Sequence, residues 1–343
     1  MAKVPYEVIK ENYLQRTTFI YNRLKSEGYF DLFNDIKKLA SVEGSNLNWD
    51  NHEDWEITSE AWEAVQDCNI NPMIVFVHPV ILQQYPIHLK YYRSISTVSQ
   101  KTLIALSKVS SVKNIEQGKV KSGTLSDDTA INLASVLNES LSRLVSLVPD
   151  LDEDKLQGMM YATAGTNIDG SWRNSIGAKG ERVIRSIILK ELLAHDEVLS
   201  IIDKQNRTIE VKELKATEVL DAIESIKSVN LINGYYMVFS SEPDISIYND
   251  SDEIVCAIEI KAGTDPAGAL ERLGAMLKSF DNTLQEFPNA TTILVASCTT
   301  DEVESRLGAS TSVGLKYITS EITSSEKNKR KFANRIRKFM KLI

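Results

Sequence analysis

Residues 235–263, YYMVFSSEPDISIYNDSDEIVCAIEIKAG, restrict the possible folds of this chain more than any other stretch. Two apolar, β-branched runs flank Asn249-Asp250-Ser251-Asp252, a cluster of turn formers, and this pattern predicts a β-hairpin. The first arm opens with Pro243-Asp244 and continues Ile245, Ser246, Ile247, Tyr248. The second, Ile254 to Lys261, is nearly all apolar until Glu259-Ile260-Lys261. Period-two alternation assigns Ile254, Cys256, Ile258 and Ile260 to one face, packed into a core, and Val255, Ala257, Glu259 and Lys261 to the other.

Folding the hairpin about its turn brings Asp244, Glu259 and Lys261 to one edge of a buried sheet. Two adjacent carboxylates repel, so such a site favours either a shared proton or a divalent cation. Oxygen ligands of this kind suit Mg2+, which keeps several waters and borrows oxygens from a substrate phosphate. A lysine beside them can position a metal-bound water and offset charge growing on phosphorus. The combination is an apparatus for hydrolysing a phosphodiester. The competing reading is a solvated strand end that happens to carry a Glu/Lys pair.

The formal net charge of −8 argues against a DNA-binding role, because phosphate contacts need Lys and Arg. Local clustering matters more than the sum. Basic residues concentrate in a C-terminal helix, with Lys327, Lys329, Arg330, Lys331, Arg335, Arg337, Lys338 and Lys341 around Phe332, Ile336, Phe339 and Met340. A second cluster, Lys108, Lys113, Lys119 and Lys121, lies in a stretch predicted as an exposed basic loop. Arg272 and Lys278, just beyond Lys261, are also within reach of a nucleic-acid backbone. From these groups the candidate DNA-binding residues are Arg272, Lys278, Lys113, Lys119, Lys121, Arg330 and Arg337.

The three cysteines, Cys68, Cys256 and Cys298, form no CxxC pair, so neither a zinc ribbon nor a disulfide framework is supported. The histidines His52, His78, His88 and His195 lack metal-ligand spacing. Trp49, Trp55 and Trp62 are expected to pack in the protein. The N-terminal MAKVPYEVIKENYLQR has no apolar signal core, and no apolar run approaches a membrane span, so a cytoplasmic protein is expected.

In chain order, two helices broken at Gly28 are predicted for residues 5–39, then a polar loop over 41–54 and a short helix capped at Thr58-Ser59. Met73 to Val77 reads as a short strand, followed by mostly helical sequence broken at Pro86. A helix from Asp127 or Asp128 to Leu147 carries acidic caps and ends before Pro149. A short helix over 151–161 precedes Thr163 to Asn174, where Gly165 and Gly170 mark the boundary candidate. Beyond it a strong helix includes Val183, Ile184, Ile187, Ile188 and Leu192 on one face. A strand near 207–214 and a helix over 216–229 lead to the hairpin. After Lys261 come a turn, a helix through Phe280, a buried strand from Thr292 to Ser297, a helix near Glu302, a strand near 315–318 and the basic helix. Helix, antiparallel strands, helix and a parallel strand make an α/β core.

Glu181 follows Gly177-Ala178-Lys179-Gly180 in what is predicted to be the early turns of the strong helix, where it could stand beside Asp244 or simply complement the helix dipole. The glycines permit close approach of another backbone. Thr264-Asp265-Pro266 opens the next helix, whose N-terminus would aim backbone donors at a phosphate.

Pro243-Asp244 followed by Glu259-Ile260-Lys261 resembles the signature of the PD-(D/E)XK nucleases, many of which carry a glutamate on the first core helix, the position Glu181 matches. The run EIKAGTDPAGALERLGAMLKSF, and the run from His78-Pro79 through Tyr91-Tyr92-Arg93 to Ser99-Gln100-Lys101, resemble the XcyI group of type II restriction endonucleases. Ala262 stands where a glycine is expected. The resemblance implies a restriction-endonuclease-like α/β core, a mixed sheet flanked by helices, over 166–343, and a mainly helical region over 1–165 for dimerisation and DNA recognition. It implies that Asp244, Glu259 and the Ile260 carbonyl bind Mg2+, that Lys261 holds the attacking water and that Glu181 assists. It further implies a homodimer cutting double-stranded DNA at CCCGGG to leave 5′-phosphates, with a cognate DNA methyltransferase in the same system. A repair or junction-processing nuclease of the same fold, and a non-catalytic scaffold in which Glu259 and Lys261 form a surface pair, remain as alternatives.

Overall fold

The computed structural model describes residues 6–148, 150–263 and 268–343. The chain divides into two compact units, residues 16–171 and residues 1–15 with 172–343.

The first unit is helical. It holds most of α1 (Tyr6–Ser26), then α2 (Tyr29–Glu43), α3 (Ser59–Asp67), α4 (Pro72–Val75), α5 (Pro79–Gln84), α6 (Leu89–Ile95), α7 (Gln100–Ser107), α8 (Val112–Glu116), α9 (Asp127–Leu147) and the start of α10 (Glu153–Ala194). Gly28 separates α1 from α2 at φ 76°, a left-handed conformation that glycine adopts without strain. Its core gathers Phe33 and Ile36 of α2, Val65 of α3, Leu133, Leu137 and Leu141 of α9, and Met160 of α10. Trp49 and Trp55 pack edge-on against His78, whose Nε2 lies 3.0 Å from the Asn48 carbonyl oxygen.

Several elements depart from their sequence expectations. Met73–Val77 belongs mainly to α4 and not to a strand, because Asn71 caps a helix with Pro72 in its first turn. The predicted basic loop contains α8, which buries Val112, Ile115 and Glu116. Ser126, and not Asp127 or Asp128, caps α9, its Oγ accepting from the Thr129 N–H. Residues 163–174 are helical: α10 runs unbroken over 42 residues. Four of the five glycines of α10, Gly158, Gly165, Gly170 and Gly177, weaken the helical signal without a turn to use them.

The second unit is built on one eight-stranded sheet. Its strands are β1 (Val198–Asp203), β2 (Thr208–Glu210), β3 (Ile226–Leu231), β4 (Tyr236–Phe239), β5 (Ile245–Tyr248), β6 (Ile254–Lys261), β7 (Thr291–Ala296) and β8 (Leu315–Ile318). Their order is β2-β1-β3-β4-β5-β6-β7-β8, antiparallel up to β6 and parallel from β6 to β8. A short helix, α11 (Ala216–Asp221), ends well before 229, since Ile226–Val229 enters β3. The remaining helices are α12 (Ala269–Glu286), α13 (Asp301–Ala309), α14 (Thr319–Thr323) and α15 (Glu326–Phe339). One face of the sheet packs on Ile184, Ile188 and Leu192 of α10 and on Phe332 and Ile336 of α15. The other packs on Leu273, Met276 and Phe280 of α12 and on Val303 of α13. With helices on both faces, β6 is buried on both, which accounts for its nearly continuous apolar run.

The hairpin forms as expected, with one local change. Ile247 pairs with Cys256 and Tyr248 with Ile254, so Val255 is an extra, bulged residue. The bulge exchanges the first two side chains of β6: Ile254 joins the α12-side core and Val255 packs on the α10 side. Beyond it the alternation holds.

α10 approaches the end of β6 closely at Gly180, where an added Cβ would lie 2.1 Å from the Cβ of Ala262, the residue after the strand. A Cβ at Gly177, by contrast, would meet nothing within 4 Å. Gly180→Ala should therefore destabilise the protein by about 1–3 kcal/mol through overpacking. Gly177→Ala should stabilise it by about 0.5–1 kcal/mol through helix propensity. Urea denaturation of the two variants checks this, and equal midpoints would contradict the close contact.

Candidate active site

The ladder ends with Ile245 opposite Ile258, so the next residues outward, Asp244 just before β5 and Glu259 on β6, adjoin each other. Both carboxylates are buried, Asp244 at 4% and Glu259 at 1% exposure. The Asp244 Oδ2 accepts from the Ile260 N–H at 2.6 Å. Lys261 Nζ donates to the Glu259 Oε2 at 2.7 Å. The other Glu259 oxygen, Oε1, is buried with no hydrogen-bond partner. A solvated strand end would leave these groups in water, so the surface-pair reading fits this geometry poorly.

Leaving a carboxylate oxygen buried and unpaired costs several kcal/mol unless a cation or a proton compensates. The protein supplies part of the compensation. Burial, followed by the charge of Glu259, pushes the Asp244 carboxyl up to about 8, against the opposing pull of the Ile260 N–H and Lys261. Glu181 adds to the upward push. Asp244 thus holds a proton at neutral pH when no cation is present.

Among the described residues, no three His, Cys, Asp or Glu side chains gather as a ready-made metal cage. Asp244 and Glu259 offer two carboxylates, the number that Mg2+ commonly takes from a protein while keeping waters and substrate oxygens. The orphaned Glu259 Oε1 and the proton-holding Asp244 suit a divalent cation, so the residues present fit one.

Glu181 lies in the interior of α10 and not in its first turn, which removes the helix-dipole explanation for an acid at this place. Its Oε2 accepts from Arg185 Nη2 at 2.8 Å. Arg185 also donates to the carbonyls of Ser240, at 3.4 Å, and Asp244, at 3.3 Å, and its guanidinium lies 4.8 Å from the centre of the Phe239 ring. It ties α10 to the loop that delivers Asp244. Sequence reasoning missed Arg185; its only trace there is the i,i+4 spacing from Glu181. Beside Gly180, a 250 Å³ cleft is lined by Ala262, Ser297 and Thr319.

The candidate DNA-binding residues fare unequally. Arg272 is drawn to the site: its Nη2 reaches the Gly263 carbonyl at 3.5 Å, and with Lys261 it lines a 20 Å³ cavity. Lys278 and Arg330 are exposed on α12 and α15, and Lys113, Lys119 and Lys121 are exposed on the helical unit. Arg337 is a correction. It is buried, and its guanidinium fork is engaged by Glu197, with Nε 2.8 Å from Oε2, so it presents nothing to a phosphate. Residues 264–267, expected to open α12 and aim donors at a phosphate, lie outside the described residues; Gly268 occupies the N-cap.

A sequence profile of the XcyI restriction endonuclease family matches residues 39–342. Over 214 residues the chain is 27% identical to the type II restriction enzyme Cfr9I of Citrobacter freundii, a span covering 60% of this chain and 58% of that protein. Over 221 residues it is 27% identical to the type II restriction enzyme XcyI of Xanthomonas campestris pv. cyanopsidis, covering 62% and 60%. The matched spans are thus less than two thirds of the length of either relative.

Two outcomes test the site electrostatics. A folded Asp244 keeps its proton to about pH 8, whereas an unfolded aspartate loses it near about pH 4. The folded state binds more protons between those values, so this group's contribution to stability falls as pH rises through that window. In chelator, Asp244→Asn should melt above the wild type at pH 8, with the gap closing toward pH 5; a pH-independent gap would contradict the assignment. Arg337→Ala, which strands the Glu197 carboxylate, should cost about 3–5 kcal/mol in urea denaturation. A neutral effect there would mean that the pair is not buried.

Proposed function

The chain belongs to the XcyI restriction endonuclease family, and from that premise we propose that it is a type II restriction endonuclease. It hydrolyses double-stranded DNA at CCCGGG in a Mg2+-dependent reaction and leaves 5′-phosphates. The observation that carries this reading is the buried pair Asp244 and Glu259, with Asp244, just before β5, held by the Ile260 N–H and one Glu259 oxygen orphaned beside Lys261.

Asp244, Glu259 and the Ile260 carbonyl would hold the Mg2+. When bound, the ion supplies Lewis-acid polarisation of the scissile phosphate and lowers the pKa of water. Lys261, a quarter exposed and anchored on Glu259, donates to the attacking water and faces the charge that builds on phosphorus. The water oxygen forms the new bond to phosphorus as the bond to the 3′ oxygen breaks. The attacking water releases one proton to solvent and the 3′ oxygen takes one from it, so the 3′ oxygen leaves as a hydroxyl and the phosphate stays on the 5′ end. Glu181, fixed by Arg185, orients water at the edge of the site.

Affinity comes from cations outside the site. Arg272 lies beside Lys261, and the exposed face of α15 carries Arg330 together with Lys331, Arg335 and Lys338, the last three along a 540 Å³ groove. Lys113, Lys119 and Lys121 add phosphate contacts from the helical unit. A palindromic target is matched by a two-fold arrangement of protein, so the active form is a homodimer. A methyltransferase of the same system protects the host target.

Purified protein with Mg2+ and plasmid DNA should give discrete fragments with 5′-phosphate ends. Lys261→Ala should lower the cutting rate by roughly 10²–10³-fold, with duplex affinity changed only a few-fold. Full activity in that variant would sink the assignment, and smeared or structure-dependent cutting would point to a repair nuclease.

A further inference from the structure

The helical unit contains a polar recess of about 520 Å³ where α6, α7 and α8 meet. Its floor is a buried network. Arg93 of α6 and Glu116 of α8 are each only 3% exposed. The Arg93 fork engages both Glu116 oxygens, Nη2 lying 3.1 Å from Oε2, and Nη1 donates to the Val98 carbonyl at 3.1 Å. Gln100, the first residue of α7, donates from Nε2 to the same Glu116 Oε2. An ionised carboxylate only accepts, so the amide nitrogen of Gln100 must face Glu116 and its carbonyl oxygen must face away. Gln100 is half-buried and lines the recess, and among the described residues nothing donates to that oxygen.

A brace between three helices would need neither an opening nor strain, and this region has both. Lys101 and Lys113 stand exposed at the rim, with no ion-pair partner among the described residues. Thr97, exposed and β-branched, is held at φ 57°. A β-branched side chain rarely adopts that conformation, and holding it there costs about 1–3 kcal/mol. Thr97 turns the chain out of α6 into Ser99, whose Oγ caps α7 by accepting from the Thr102 N–H at 3.1 Å. The strained turn therefore sets where Gln100 begins its helix, and the Arg93 bond to Val98 pins it.

We propose that the helical unit reads DNA through this recess, with Gln100 as a specificity-determining residue whose Oε1 accepts from an exocyclic amino group in the major groove. Arg93 and Glu116 are positioning residues, and Lys101 and Lys113 hold flanking phosphates. The proposal rests on the DNA-cleaving reading above and names a residue that chooses the target. In the major groove cytosine N4 and adenine N6 are donors, whereas guanine O6 and N7 and thymine O4 are acceptors. A free glutamine pairs with adenine through both arms. Gln100 has one of its two amide N–H groups taken by Glu116, which turns Oε1 away from the carboxylate as the acceptor it offers, and an acceptor there pairs with an amino group and not with guanine O6 or N7. On a G/C target it is a reader of cytosine.

The test uses the full chain and the duplex that the wild type cleaves, in competition binding without divalent cation. The 4-amino group of each cytosine is replaced by hydrogen in turn. The wild type should lose roughly 5- to 100-fold in affinity at one symmetry-related cytosine pair. Gln100→Met should bind the unmodified duplex more weakly and be blind to the change at that pair. A wild type indifferent to every replacement, or a Gln100→Met variant that feels each one equally strongly, overturns the proposal. Lys101→Ala and Lys113→Ala, which disturb no packing, should each reduce the salt dependence of binding by about one unit of slope. Unchanged slopes would overturn the recess as a DNA surface even if Gln100→Met fails to fold. A wild type that cuts no duplex at all removes the endonuclease reading itself, an outcome distinct from altered base preference.

Discussion

Two carboxylates buried side by side on a central strand pair form the constraint on which the site depends. Asp244 and Glu259 lie side by side where the sheet is covered on both sides, so bulk water solvates their charge poorly. The compensation comes from the backbone N–H of Ile260, the ammonium of Lys261 and a proton on Asp244. It is incomplete, since one Glu259 oxygen has no partner. An arrangement of this kind is costly for stability and useful for binding a small divalent cation. Neighbouring features serve to keep it in place. Gly180 lets α10 close on Ala262, and Arg185 bridges Glu181 to the carbonyls on either side of the loop leading to Asp244.

The same physics explains why a census of basic residues misjudges this chain. Arg93 and Arg337 are each locked by a buried glutamate, Glu116 and Glu197. Removing either partner would leave a bare charge in the interior, so these arginines belong to the framework. The cations left for a polyanion are those at the surface, on α12, α15 and the rim of the helical unit. A net charge of −8 is compatible with such local surfaces, because fields from distant acids are screened over about 8–10 Å in physiological salt.

Much of the candidate site was legible because it lies on short-range features. The turn formers at 249–252 and the alternation of β6 were enough to bring Asp244, Glu259 and Lys261 together, and the ladder has that register. Where glycine and proline carried the argument alone, the outcome was mixed. Gly28 breaks two helices, but the glycines of 158–177 lie within continuous α10, and Pro72 begins a helix where a strand was expected. The strands β1 and β3 were hidden because Val198–Asp203 and Ile226–Leu231 adjoin helical sequence, and their β character depends on pairing with each other.

The sequence by itself determined the hairpin, the apolar run of β6 and the chemistry of its charged end, since period and turn propensity are properties of adjacent residues. It also determined that helices alternate with strands in the C-terminal half. Only the tertiary structure decided which charges are buried and which are free. It also decided that Val255 bulges out of register and that α10 packs on β6 through Gly180. Those outcomes depend on side chains far apart in sequence, whose ion pairs and van der Waals contacts exist only after the chain has closed.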